Sequence, residues 1–175
     1  LAKVRLMDLF GAQHPLPTLS LWEPWASLIA AGFKRHETRH WPTRVRGTVA
    51  IHAAKRLDVA AAPDKLCRFA FGPDWTRTRP AGAVVAVVNL TACVHTREAA
   101  AYALSSDLES GNYGPFRFAF RLDDVRPLIE PIPLTGRQGF FSWTPPPDLA
   151  QRRGPPVDHV QQASAYDAFV CGGEA

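Results

Sequence analysis

The sequence predicts an α+β fold in which a small mixed sheet closes towards a barrel and short helices flank it. Two observations support this class. Several short β-branched or alternating segments are separated by turns, and two or three helical segments lie between them. A length of 175 residues suits one domain that is large enough to bury a core of its own.

The strand predictions rest on β-branched composition and on alternation of apolar and polar residues. In 116–122 the alternation places Phe116, Phe118 and Phe120 on one face, which we expect to be core, and Arg117 and Arg121 on the outer face. The prolines of the last segment predict a broken strand at a sheet edge. The expected strands are 18–21, 47–53, 82–94, 116–122 and 125–133.

The clearest helix prediction begins near Glu23, because Pro24 is tolerated only in the first turn of a helix. Trp25, Leu28 and Ile29 then form an apolar stripe, and the glycine that follows is a natural stop. Further helices are expected at 57–66, 97–104 and near 166–170.

Proline content divides the chain into three parts. We expect a lead-in at 1–15, a folded domain at 16–143 and a Pro-rich tail at 144–175. Tyr166 and Phe169 give the tail enough apolar surface to dock partly on the domain.

Composition excludes several classes of protein. Three widely spaced cysteines without a Cys-x-x-Cys pair argue against a disulfide framework and against a cysteine zinc site, and favour a reducing, cytoplasmic location. The apolar runs are too short to cross a bilayer, so we expect no membrane partner.

Seven of the chain's lysines and arginines and three of its tryptophans lie between residues 19 and 56. Cations interleaved with aromatics are typical of a surface that holds a flat anionic ligand. On a strand, Glu37 and Arg39 share a face, and Lys34 lies just outside it. Arg46, His52 and Lys55 come from the adjacent turn and strand. The alternative is a solvated surface ion network of little energetic value, with His52 as a core residue.

His36 and His40 complete a His-Glu-x-x-His motif, the spacing of many zinc hydrolases. That motif holds a metal only on a helix, whereas Gly32 and Pro42 bracket this segment and favour a strand. On a strand the two histidines are about 13 Å apart, too far to share one metal. We therefore expect neither a metal nor another cofactor.

Four segments together resemble the ASCH domain (activating signal cointegrator-1 homology). The Gly-x-Lys-x-x-Glu-x-Arg motif is the hallmark of that family, and the resemblance extends over roughly 16–143. The segments are Ser20–Ala26, Gly32–Arg39, Arg46–Gly47 and Ile51–Lys55.

The resemblance implies a PUA-like fold with a cleft that handles RNA, single strands or modified nucleosides. Some small bacterial relatives remove acetyl from N4-acetylcytidine with a Lys, a Thr and a Glu, and others are reported as ribonucleases. Lys34 matches the family lysine, but Glu37 stands where the catalytic threonine would be. The residues expected at the cleft are Lys34, Glu37, Arg39, Ser20, Trp22, Arg46, His52 and Lys55.

Three hypotheses follow for function. In the first, the basic cleft recognises RNA, single strands or a modified nucleoside, with Trp22 or Trp41 stacking on a base. In the second, the protein is an amidohydrolase or ribonuclease that uses Lys34 and Glu37. In the third, the Pro-rich tail makes the protein an interaction module.

Overall fold

The computed structural model describes residues 14–172, so all but two residues of the predicted lead-in lie outside the described part. Within that part the strands are β1 Leu16–Glu23, β2 His36–Arg39, β3 Gly47–Leu57, β4 Ala83–His95, β5 Phe118–Pro133 and β6 Phe140–Trp143. The helices are α1 Trp25–Ala30, α2 Asp64–Phe71, α3 Thr96–Ala99, α4 Ser105–Ser110, α5 Leu149–Arg152 and α6 His159–Gly172.

The strands form one mixed sheet in the order β2-β5-β4-β3-β1-β6. β1 runs parallel to β3, with Thr18 opposite Ala50, and every other pairing is antiparallel. The chain passes from β1 to β3 through α1 and β2, so β3, with Lys55 and Arg56 near its end, lies beside β1. The α+β class is therefore confirmed.

The sheet is not closed, so the predicted barrel is not confirmed. Its two edge strands are instead brought near each other by side chains. Trp41, just after β2, packs its indole 5.2 Å from the ring of Phe120 and 5.9 Å from that of Phe140 in β6. A guanidinium nitrogen of Arg39 also donates to the carbonyl of Ser20 in β1. The backbone ladder stays open between the two edges.

The largest buried cluster lies between α1 and one face of the sheet, with Leu19, Ile29, Ile51, Val88 and Leu122 among its members. The residues between them on β3 and β4 are buried too, because Ala50 and Val87 point to the opposite face and pack in another cluster that includes Trp143. The central strands are therefore covered on both faces. A second cluster joins α1, α2 and α6. Packing on both sides fixes the position of α1.

Several local predictions were wrong in detail. Phe116 is 91% exposed and lies outside β5 at a positive φ of 59°, so it is not part of the core row. Of the segment 57–66 predicted as helical, Leu57 still belongs to β3, turns follow, and only the last three residues belong to α2, which begins at Asp64. The two predicted strands at 116–122 and 125–133 are one continuous strand, β5. On the side away from β4, no strand pairs with its proline-rich second half. The segment after β6 contacts it there through a bridge from Leu128 to Arg153 and through N–H groups of Gly154 and Val157 that donate to carbonyls of β5, which does not require N–H groups from the prolines.

The segment after β6 contacts the rest of the molecule over most of its length. Tyr166 on α6 is 2% exposed in the second cluster. The buried His159 ring lies with Nδ1 2.8 Å from the carbonyl oxygen of Gly32, to which it donates. These contacts hold α6 against α1 and α2.

Candidate functional site

A cleft of about 1310 Å³ opens between β1, β2, the end of β3 and two loops. Seven of the eight residues that the sequence singled out line it: Ser20, Trp22, Lys34, Glu37, Arg39, His52 and Lys55. The parallel pairing of β1 with β3 and the short β2 bring these residues together from three separate segments.

Arg46 is the predicted residue that the structure places elsewhere. Its guanidinium is exposed and donates to the main-chain carbonyls of Thr43 and Val45, at 3.0 and 2.7 Å. Arg46 therefore caps its own turn, and it is not among the residues lining the cleft.

Lys34, Glu37 and Arg39 form a chain of ion pairs along one wall of the cleft. The Lys34 Nζ lies 3.6 Å from Oε2 of Glu37, and the Arg39 Nε lies 2.8 Å from Oε1 of the same carboxylate. Alternation along β2 puts Glu37 and Arg39 on one face. Lys34 reaches them because Gly32, at a φ of +86°, ends α1 and turns the chain into β2.

The Lys34 side chain is 1% exposed and is anchored by a hydrogen bond to the carbonyl oxygen of Ser110, at 3.1 Å. Burial lowers the pKa of this ammonium, and the carboxylates of Glu37 and Asp107 act in the opposite direction. Lys34 therefore depends on its carboxylate neighbours to stay charged.

Ser20 and His52 form a second polar group on the floor of the cleft. The Ser20 Oγ lies 2.9 Å from Nδ1 of His52, and Nε2 of the same ring lies 3.0 Å from the carbonyl oxygen of Leu134. Burial lowers the pKa of His52, partly offset by the hydrogen bond to Leu134. The loop after Leu134 packs so closely on the ring that a Cβ at Gly136 would overlap it.

The tryptophans have different environments. Trp22 is 43% exposed at the cleft, and the Arg56 guanidinium stacks 3.5 Å from its ring centroid, which covers one face. Trp25, the first residue of the apolar stripe on α1, packs partly against the core and also lines the cleft, where Nε1 donates to the Ser110 carbonyl. Trp41 is packed between two phenylalanine rings and is not among the lining residues, so it does not serve as a base-stacking platform in the cleft.

Sequence reasoning missed two further parts of the cleft lining. One runs from Glu109 to Asn112 together with Arg117, and the other is the loop at 135–139. Arg117 was expected on the outer face of a strand, but β5 begins one residue later. Its guanidinium donates instead to the carbonyls of Asn112 and Thr38. The Gly-Arg-Gln-Gly turn was visible in the sequence, but no local pattern showed that it folds over His52.

The His-Glu-x-x-His motif has no metal-binding geometry here. β2 is a strand, the His36 ring is buried with Nδ1 3.3 Å from Asp107, and His40 is exposed. Asp107 also accepts hydrogen bonds from the backbone N–H groups of Arg35 and His36. Burial acts to raise the pKa of Asp107, but its hydrogen bonds and the His36 ring outweigh this and lower it. Among the described residues, no group of three or more His, Cys, Asp or Glu could hold a metal ion.

The fold and the site define a small α+β protein whose mixed sheet carries a basic, tryptophan-lined cleft. The sequence profile of the ASCH domain matches residues 19–115, more than half of the chain, and the chain belongs to the ASCH domain family. The PUA-like fold of that family is the one implied by the sequence motifs. In the described part of the chain, every helix is too short or too polar to cross a membrane.

A solved structure shows the same fold at low sequence identity. The crystal structure of ASCH from Zymomonas mobilis is 18% identical, with a TM-score of 0.51, and the match covers 79% of this chain and 96% of that chain. A crystal structure of a mutant of the Zymomonas mobilis protein, with a tyrosine replaced by phenylalanine, matches at 18% identity and a TM-score of 0.49, over 81% of this chain and 100% of that chain. No curated protein sequence matches.

Proposed function

We propose that the cleft binds single-stranded nucleic acid, with RNA favoured, or a modified nucleoside. One observation supports this most strongly. The charged residues lining the cleft comprise five cations and two carboxylates, an excess of three positive charges, although the whole 175-residue chain has a net charge of only +4. Membership of the ASCH domain family also supports RNA binding or a related function in general.

The size of the cleft supports a polymer as the ligand. Small-molecule pockets typically enclose about 300–1,000 Å³, whereas this cleft has about 1310 Å³ and is open to solvent. Lys55 and Arg137 are exposed at its margin, where they are available to phosphates. The uncovered face of Trp22 is available to a base, and such stacking is worth about 1–3 kcal/mol per base.

The carboxylate of Glu37 suits recognition better than acid–base chemistry. Each of its oxygens already faces a cation, Lys34 on one side and Arg39 on the other. Each oxygen keeps a second lone pair that can accept from the exocyclic amine of a base. The alternative hydrolase that uses Lys34 and Glu37 would instead need one of these lone pairs for a proton from water, and the cation beside each oxygen repels that added positive charge.

The first prediction concerns the salt dependence of binding. Fluorescence anisotropy with a labelled RNA decamer should show affinity that falls linearly with salt on logarithmic axes, because bound cations displace counterions from phosphates. Lys55→Ala should reduce the slope by about 0.7, the value of one phosphate contact on a single strand. Lys55 is exposed, so this change leaves the packing of the cleft in place.

Arg46→Ala is the matched control, because Arg46 is equally exposed in the same basic segment but is not among the residues lining the cleft. It should bind as the unmodified protein does. Affinity that is indifferent to salt, or equal losses in the two variants, would contradict the proposal. Parallel titrations with DNA of the same sequence, duplex RNA and N4-acetylcytidine separate the possible ligands. Release of cytidine that is lost in Lys34→Ala would instead favour the hydrolase.

A further inference from the structure

The sheet holds a serine hydroxyl against a histidine ring, in the pair Ser20 and His52. The two residues lie opposite each other in the parallel pairing of β1 with β3, so their side chains emerge side by side. Both line the cleft. The hydroxyl oxygen and Nδ1 are 2.9 Å apart, an ordinary hydrogen-bond distance.

The second ring nitrogen determines which partner donates. Nε2 lies 3.0 Å from the carbonyl oxygen of Leu134, which can only accept, so Nε2 carries the proton of the neutral ring. Nδ1 is then the unprotonated nitrogen, and Ser20 donates its hydroxyl hydrogen to it. A serine hydroxyl that donates to an imidazole held by a third group is the arrangement of an activated nucleophile.

The surroundings of the pair keep the ring in this state. His52 is 1% exposed, with Gly136 packed on its ring and the Phe141 ring edge-on at 5.9 Å. Burial lowers the pKa of His52, so the ring is a neutral proton acceptor at neutral pH. Ser20 is only half-buried and faces the cleft, so a bound molecule can reach its oxygen.

We propose that Ser20 is a nucleophile and His52 its general base, and that the pair hydrolyses a carboxylic ester bound in the cleft. This activity goes beyond the proposed binding function and is independent of the Lys34–Glu37 chemistry. Arg137, exposed in the adjacent loop of the cleft, is the cation available to the developing negative charge.

The reaction has two balanced steps, with water as the only co-reactant. The Ser20 oxygen bonds to the acyl carbon while its proton passes to Nδ1 of His52, and the bond to the leaving alkoxide breaks as that oxygen takes the proton. Water then attacks the acyl-serine, gives one proton to His52 and releases the acid, and the His52 proton returns to Ser20.

An ester is the expected substrate class because a main-chain carbonyl, and not a carboxylate, holds the second nitrogen of the histidine. In serine hydrolases a carboxylate both fixes the tautomer of the imidazole and stabilises the imidazolium that forms. Here a neutral main-chain carbonyl takes that position. The weaker base should suffice for an ester, which expels a good alkoxide leaving group. It should not suffice for an amide, whose amine is a poorer leaving group.

The test uses p-nitrophenyl acetate and the full chain, without nucleic acid. We expect a burst of p-nitrophenol close to one equivalent, a mass gain of one acetyl group and its location on Ser20 by peptide mapping. Ser20→Ala should abolish the burst, and His52→Gln should slow it about 10²- to 10⁴-fold. Ser142→Ala is the control, since it removes an exposed serine hydroxyl of β6 that is not among the residues lining the cleft, and it should acylate normally.

A Ser20→Cys variant guards against misfolding as an explanation, because a thiol in the same place should still be acylated. The inference is overturned if the folded protein does not acylate, if the acetyl group lies on a lysine, or if Ser20→Ala acylates equally well. None of these results bears on RNA affinity, which is measured separately, so failure here is distinguishable from failure of the binding function.

Discussion

Lys34, Glu37 and Arg39 link the charge of the cleft to the stability of the fold. Lys34 is as buried as the core leucines, yet it lies at the cleft wall and hydrogen-bonds Ser110. A buried ammonium is costly unless it is paired, and Glu37 supplies the pairing. The Arg39 side chain is a quarter exposed, so water can solvate its guanidinium if the carboxylate is lost.

Glu37→Gln should therefore destabilise the protein by about 3 kcal/mol, because it leaves the buried Lys34 ammonium unpaired. Lys34→Met in the same chain removes that charge. The double variant should then be more stable than the sum of the two single changes by about 1–3 kcal/mol. Urea denaturation of the four proteins measures the coupling. Additive losses would show that the two side chains do not depend on each other.

Alternation along one strand was enough to predict that Glu37 and Arg39 share a face, because their relative position depends only on β2. The placements of Arg46 and Trp41 could not be predicted in this way. Arg46 is satisfied by carbonyls of its own turn, and Trp41 fills the gap between the two edges of the sheet. Both depend on where the chain goes after a turn, which local sequence does not encode.

α6 is the element whose contribution was hardest to predict. Its sequence suggested one short helix in a tail, but the helix has 14 residues. Tyr166 supplies its main anchor, with the ring buried beside α1 and α2 and the hydroxyl donating to Glu109 at 2.7 Å. Glu109 itself lines the cleft. The division of the chain at 143 remains a prediction, and these contacts argue that a chain ending there would lose part of its core.

Tyr166→Ala should cost about 3–5 kcal/mol, the usual loss for removing a buried aromatic ring. Tyr166→Phe keeps the ring and should cost about 1–3 kcal/mol, because only the hydrogen bond to the Glu109 carboxylate is lost. Val160→Ala on an exposed turn of α6 is the matched control and should change stability by less than about 0.5 kcal/mol. Denaturant unfolding measures all three. Equal stability of the alanine variant and the control would show that α6 is not part of the cooperative unit.

Element types were more predictable than element limits. β-branched composition located β3 and β4, and the Pro-Trp start located α1, since each of these depends on local signals. α4 was missed because its sequence, Ser-Ser-Asp-Leu-Glu-Ser, has no apolar stripe. That helix is held by tertiary contacts instead, with Asp107 accepting from the backbone of Arg35 and His36.

In the molecule as a whole, buried ionisable groups lie on both sides of α1. The cleft side has Lys34 with its carboxylates, whereas Glu23 at the end of β1 is fully buried and accepts hydrogen bonds from the backbone N–H and the hydroxyl of Ser27. Burial raises the pKa of Glu23 to about 7, although the Ser27 hydrogen bonds and the charge of Arg79 act to lower it. Folding is therefore linked to proton uptake at this residue.

The sign of that linkage is opposite to that of a salt-bridged carboxylate. Because the folded-state pKa lies above the unfolded value of 4.5, the folded protein binds the proton more tightly, and stability falls as the pH rises from about 4.5 through 7. The shift corresponds to about 3 kcal/mol. The buried His159, whose pKa burial lowers, has the reverse effect and loses stability as the pH falls below its ordinary value, so the unmodified protein alone does not isolate Glu23.

Comparison with Glu23→Gln removes that ambiguity. Glutamine keeps an acceptor oxygen for Ser27 and has no proton to lose, so the variant should match the unmodified protein near pH 5 and exceed it by about 3 kcal/mol at pH 8. Urea denaturation at several pH values gives the difference between the two curves, in which the effect of His159 cancels. A constant difference across that range would mean that Glu23 is ionised in the folded state as it is in the unfolded one, and that its burial is not linked to proton uptake.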